Sequence, residues 1–74
     1  MQSRQLDAIT IQLNGAEVPA THGVTLGQLL DSRGVERRMI AVEYNGEILP
    51  RYEYDNVILN DGDRLEVVQM VGGG

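Results

Sequence analysis

The residues with the most chemical promise in this 74-residue chain are its last three, Gly72, Gly73 and Gly74. Only Val71 separates them from Met70, the end of an alternating apolar run. Glycine costs ordering entropy and packs nothing, so such a run serves no core. Extended, three residues reach roughly 10 Å, at about 3.3–3.6 Å each. A tail without side chains can thread a narrow channel and present the Gly74 carboxylate to an active site on another protein. A carboxylate is a poor electrophile and must be activated before anything attacks it. Adenylation by ATP gives an acyl-adenylate; a sulfur donor can then displace AMP and leave a thiocarboxylate, a good nucleophile at neutral pH. None of these steps needs a catalytic residue in the chain that carries the carboxylate. The plain alternative is an inert linker, since glycine-rich ends are common there.

Little else in the sequence could catalyse. The chain has no cysteine, which excludes disulfides, a thiol nucleophile and a cysteine metal site. His22 is the only histidine, so no histidine dyad or histidine-based metal cluster forms. Within Thr21-His22-Gly23 it reads as a solvated loop residue. Asp61 and Asp63, with one glycine between them, fall short of a calcium loop and read as turn residues. Tyr44 reads as core or core edge, and Tyr52 and Tyr54 as packing over a loop. With no nucleophile–base pair, the chain is expected to be a carrier rather than an enzyme. No metal and no bound cofactor is expected, and ATP would be consumed by an activating partner.

The elements that must position this tail are legible as periodicities. Met1 to Asp7 carries none, so residues 1–8 read as a flexible lead-in, 9–71 as the folded domain and 72–74 as the tail. Ile9, Ile11 and Leu13 alternate with polar residues, which predicts a strand with one buried face. Asn14-Gly15 is a hairpin signal, and Ala16 to Pro19 reads as the return strand, with Val18 inward and Pro19 ending the pairing. Thr25 with Gln28 forms a capping box; Leu26, Leu29 and Leu30 make a helical stripe; Gly34 supplies a left-handed stop, giving a helix over about 26–33. An isolated helix that short is unstable and must pack on a sheet. Met39 to Tyr44, turn Asn45-Gly46 and Glu47 to Leu49 predict a second hairpin. Residues 51–60 predict a helical turn and a short strand, Val57 to Leu59. Arg64 to Met70 is the last strand. Hairpin, helix, hairpin, connection and strand make an α+β domain with one main helix on one face of a mixed sheet of four or five strands, the β-grasp arrangement.

Composition narrows the partners. At 42% hydrophobic the chain supports one domain, and a domain this small buries only about 60% of the surface its unfolded chain exposes. A net charge of −5 repels nucleic acid and anionic membranes. All 6 basic residues are arginine, so an activated acyl group would find no lysine amine on a sister copy. No segment approaches the roughly 18 apolar residues of a membrane span, and Met1 to Asp7 lacks an apolar signal core. The expectation is a cytoplasmic monomer.

In Ile11-Gln12-Leu13-Asn14-Gly15, Val24-Thr25-Leu26-Gly27-Gln28-Leu29-Leu30 and Val42-Glu43-Tyr44-Asn45-Gly46-Glu47-Ile48-Leu49-Pro50-Arg51, the chain resembles the ThiS family of ubiquitin-like sulfur carriers. The likeness continues through Asn60-Asp61-Gly62-Asp63-Arg64-Leu65-Glu66-Val67-Val68 and Val71-Gly72-Gly73-Gly74, covering almost everything from Ile9 onward. The resemblance implies a Gly74 carboxylate adenylated by an E1-like (ThiF-like) enzyme and converted to a thiocarboxylate. A sulfur donor such as a cysteine desulfurase would supply the sulfur, and a thiazole synthase (ThiG-like) would accept it in thiamine biosynthesis. The essential pair of such carriers is the terminal diglycine, here Gly73 and Gly74. A carrier for molybdopterin, tungstopterin or tRNA thiolation shares the fold and tail, as does a ubiquitin-like modifier; a passive interaction module shares only the fold. If Leu65 and Val67 face the helix, Val68 and Met70 face outward with Met39 and Ala41. Together with Val71, and with Glu43 and Glu66 at the rim, they form the expected partner surface.

Overall fold

The computed structural model describes residues 8–70. Strands β1 (Ala8–Leu13) and β2 (Ala16–Thr21) pair antiparallel about Asn14-Gly15. Asn14 and Gly15 sit at φ +52° and +85°, the left-handed twist that a two-residue hairpin turn demands. The ladder begins at Ala8, opposite Thr21, so Ala8 belongs to the sheet and not to the lead-in. Pro19 does not end β2; it pairs opposite Thr10, and the strand runs on to Thr21. The reason is position: β2 is an outer strand, and on an edge proline's missing N–H can point away from the ladder at no cost in sheet bonds.

Helix α1 (Leu26–Ser32) starts at the box its sequence predicts. Thr25 Oγ1 accepts from the Gln28 N–H at 3.1 Å, and Gln28 Oε1 accepts from the Thr25 N–H at 3.0 Å. Each bond satisfies a donor that the helix end would leave orphaned. The helix stops one residue sooner than read, with Arg33 as C-cap and Gly34 at φ +72°. Gly34 N–H then donates to Asp31 O and Val35 N–H to Leu30 O, both at 3.1 Å, which closes the last carbonyls.

Strands β3 (Ile40–Tyr44), β4 (Glu47–Leu49) and β5 (Arg64–Gln69) complete a five-stranded sheet in the order β2-β1-β5-β3-β4. The last strand in sequence lies at the centre, parallel to β1 and antiparallel to β3. Ile11, Val42 and Leu65 from the three central strands are fully buried with Leu26 and Leu30 of the helix. Leu59 and Tyr54 close the same core. Tyr54 is therefore not loop packing: the 3-10 turn Arg51–Asn56 turns it inward, 1% exposed, and leaves Tyr52 79% exposed. Nor does a strand form at 57–59. Ile58 makes a single bridge to Thr25, because this stretch meets only the few residues entering the helix, bonding Leu26 N–H to Val57 O and Leu59 N–H to Val24 O at 2.9 Å each.

A second 3-10 turn, Arg37–Met39, sends Arg37 to both Asp31 of α1 and Asp55 of the first-named 3-10 turn, at 3.1 and 2.9 Å. The two carboxylates hold the Arg37 guanidinium even more firmly protonated than usual, the Asp55 bond first. The bridge crosses Gly27, where a Cβ would overlap the Asp55 carboxylate and meet Arg37 Nη2 at 2.6 Å. That close approach explains a glycine inside so short a helix.

Candidate functional site

Strand β5 leads into Val71 and Gly72–Gly74, which lie outside the described residues. How β5 is held therefore sets where the tail departs. At its start, Asn45 N–H donates to Arg64 O and Asn45 Oδ1 accepts from Arg64 N–H, both at 2.8 Å. Beside it, Asp63 accepts from the Tyr44 hydroxyl at 2.7 Å, the Asn60 N–H at 2.8 Å and the Asn45 side-chain amide at 3.2 Å. Burial pushes the Asp63 carboxyl up, but the bonds from Tyr44, Asn60 and Asn45 together outweigh it, and the group ends below the usual carboxylate range. The Tyr44 phenol is pushed up to about 12, by burial first and by its bond to Asp63 second.

Further along, β1 ends at Leu13, and the last backbone bond from this side to β5 runs from Asn14 N–H to Leu65 O at 2.9 Å. The Asn14 side chain then replaces the strand: Oδ1 accepts from the Val67 N–H at 2.7 Å and Nδ2 donates to Val67 O at 3.3 Å. A side-chain amide thus imitates one more peptide of a strand. At the exit, Met70 N–H donates to Met39 O at 2.8 Å. Both hairpin asparagines therefore clamp β5 as well as turning their own hairpins. This second role is not legible from local sequence; its only signal is that asparagine, with an amide able to bond both ways, stands in both turns.

On the face of the sheet opposite α1, the register sets Ala41 beside Val68 and Glu43 beside Glu66. Ile48 of β4 lies on the other side of Glu43. These five residues line a recess of about 400 Å³. Val68 is 59% exposed and Ile48 67%. Ile48 was not among the residues expected there. Met39 departs from the expected arrangement: its 3-10 turn takes it out of strand alternation, and it lines a separate recess of about 390 Å³ with Val35, Ile40 and Val67. Met70 is half-buried next to Met39. A larger recess, about 570 Å³, runs between β2 and α1 past His22 and Arg33. Asp61 lies in a turn as read, and its Oδ1 accepts from the Thr10 N–H at 2.8 Å, which ties that turn to β1. No helix among the described residues is long and apolar enough to cross a membrane.

A mixed sheet with its last strand at the centre, one helix across one face and the other face open defines a ubiquitin-like β-grasp domain. The ThiS family model matches residues 11–74. The chain belongs to the ThiS family. It is 40% identical over 65 residues to the sulfur carrier protein ThiS of Bacillus subtilis, covering 86% of this chain and 98% of that one. It is 45% identical over 62 residues to a thiazole synthase of Paramagnetospirillum magneticum, covering 84% of this chain but only 19% of that protein, so the chain spans about a fifth of that relative's length. The crystal structure of the thiamine biosynthesis protein ThiS from Geobacter metallireducens superposes with a TM-score of 0.78 at 29% identity, covering 89% of this chain and all of that one.

Proposed function

We propose that this chain carries sulfur, as a thiocarboxylate on Gly74, to a thiazole synthase in thiamine biosynthesis. An E1-like, ThiF-like enzyme joins the Gly74 carboxylate to AMP from ATP, and pyrophosphate leaves. The terminal sulfur of a persulfide, held by a donor such as a cysteine desulfurase, attacks the acyl carbon, and AMP departs with the carboxylate oxygen. A thiol then attacks the donor's sulfur in the acyl disulfide, forming a disulfide with the donor and releasing the thiocarboxylate. The chain supplies no catalytic group; it is the co-substrate of one enzyme and then of the next. Gly72 and Gly73 let the end thread both active sites without side chains, and the cytoplasm supplies the ATP and reduced sulfur.

The observation that carries this reading is the family match running through residues 11–74, so that it takes in all three glycines as well as the fold. A thiazole synthase containing a segment like this chain supports the choice of acceptor. The outer sheet face, with Ala41, Glu43, Glu66 and Val68, is the surface these partners grip. An ATP–pyrophosphate exchange assay with the adenylating enzyme tests the first step. Exchange should depend on the full chain and vanish when Gly73 and Gly74 are deleted; exchange that survives the deletion would rule out Gly74 as the acceptor of AMP.

A further inference from the structure

We infer that the outer sheet face receives a basic side chain, an arginine or lysine of the thiazole synthase, between Glu43 and Glu66. The inference rests on the proposed reading of that face as a docking surface and names what fills it. The bonds from Asn45 N–H to Arg64 O and from Met70 N–H to Met39 O fix which rungs of the β3–β5 ladder are hydrogen-bonded. Glu43 and Glu66 occupy such a rung, so their Cα atoms stand about 5.5 Å apart, side chains on the same face. Like charges directly opposed weaken a sheet.

Nothing among the described residues relieves them. The ion pairs there join Arg37 to Asp31 and Asp55, and Arg38 to Glu36. Arg64 shares the outer face, one alternation along β5 from Glu66, yet it pairs with neither glutamate. Around the two carboxylates the recess is apolar: Ile48 on one side, Ala41 and Val68 on the next rung. Arginine and lysine have the matching shape, a methylene stem to lie along Ile48 and Val68 and a charged head to sit between two carboxylates. A second copy of this chain would bring the same two glutamates against its own and be repelled. The thiazole synthase is the assigned partner because a relative of that name carries a carrier-like segment in one chain with the rest of its sequence.

The test is titration calorimetry of the full chain against the thiazole synthase from the same cell, at low and high salt. The double variant E43Q/E66Q should bind about tenfold more weakly or worse at low salt, lose most of the salt dependence, and melt no lower than the parent. The apolar double variant I48A/V68A should also weaken binding, with the salt dependence intact. If E43Q/E66Q binds like the parent while I48A/V68A weakens, the cation is wrong and the docking face stands. If neither changes affinity, both fall. If E43Q/E66Q weakens only the complex with the adenylating enzyme, or if the free chain proves to be a dimer broken by Val68→Glu, the assignment to thiazole synthase is overturned.

Discussion

Three polar side chains, Asn14, Asn45 and Asp63, hold β5 and its entry. Tyr44 donates to Asp63 at 2.7 Å from beside the core. Tyr44→Phe should cost about 1.5–3 kcal/mol in denaturant unfolding, the worth of a hydrogen bond to a charged acceptor. It should also raise the Asp63 pKa, readable by NMR titration. The pH dependence has a definite sign at each end. Asp63 is held below its unfolded value, which lies near about 4. Its contribution is therefore complete above that value and lost as pH falls through the lower, folded one. Tyr44 is raised to about 12. Its contribution is complete below the unfolded value near about 10 and lost as pH rises toward the folded one. Melting curves of Tyr44→Phe should be flatter than the parent's at both ends; a parallel profile would mean that the pair does not set the pH response.

At the scale of elements, the hairpins, the capped helix and the alternation of β1, β3 and β5 were legible because each rests on local chemistry: turn residues at positive φ, a box at fixed spacing, a period of two. What could not be read depended on neighbours distant in sequence. Pro19 stays in a strand because that strand is an edge, and Tyr54 is core because a 3-10 turn packs it against α1. Met39 leaves the outer face because the chain winds one turn before β3 begins. Asn14 shows both kinds of information in one residue. Asn14→Ala removes the tolerance for positive φ and orphans Val67 N–H, and should cost about 1–3 kcal/mol. Asn14→Gly restores the turn but not the bond. Hydrogen exchange separates the two effects: the Val67 amide should exchange faster in both variants, and a protected Val67 in Asn14→Gly would show that the side-chain clamp contributes nothing. Thr25→Ala, by contrast, should cost about 1 kcal/mol through the helix start alone and leave Val67 protection relative to global stability unchanged.

For the molecule as a whole, fold and chemistry separate. Among the described residues, the core lies between α1 and the sheet and takes Leu65 and Val67 from the last strand. On the proposed function, the chemistry lies past Met70. Adding one bulky residue after Gly74 should therefore leave the melting temperature unchanged and abolish sulfur transfer; an extended chain that still delivered sulfur would contradict a terminal carboxylate mechanism. The glycine run pointed to this chemistry from the sequence alone, but it could not exclude an inert linker. The family match across residues 11–74 weighs for the carrier.

The most direct measurement is the intact mass of the full chain after incubation with ATP, its E1-like enzyme and a sulfur donor, with fragmentation to locate any change. Sulfur carriage on Gly74 predicts a gain equal to one oxygen replaced by sulfur, confined to Gly74 and dependent on ATP. No gain with a demonstrably active enzyme, or a gain that maps to another residue, would contradict it.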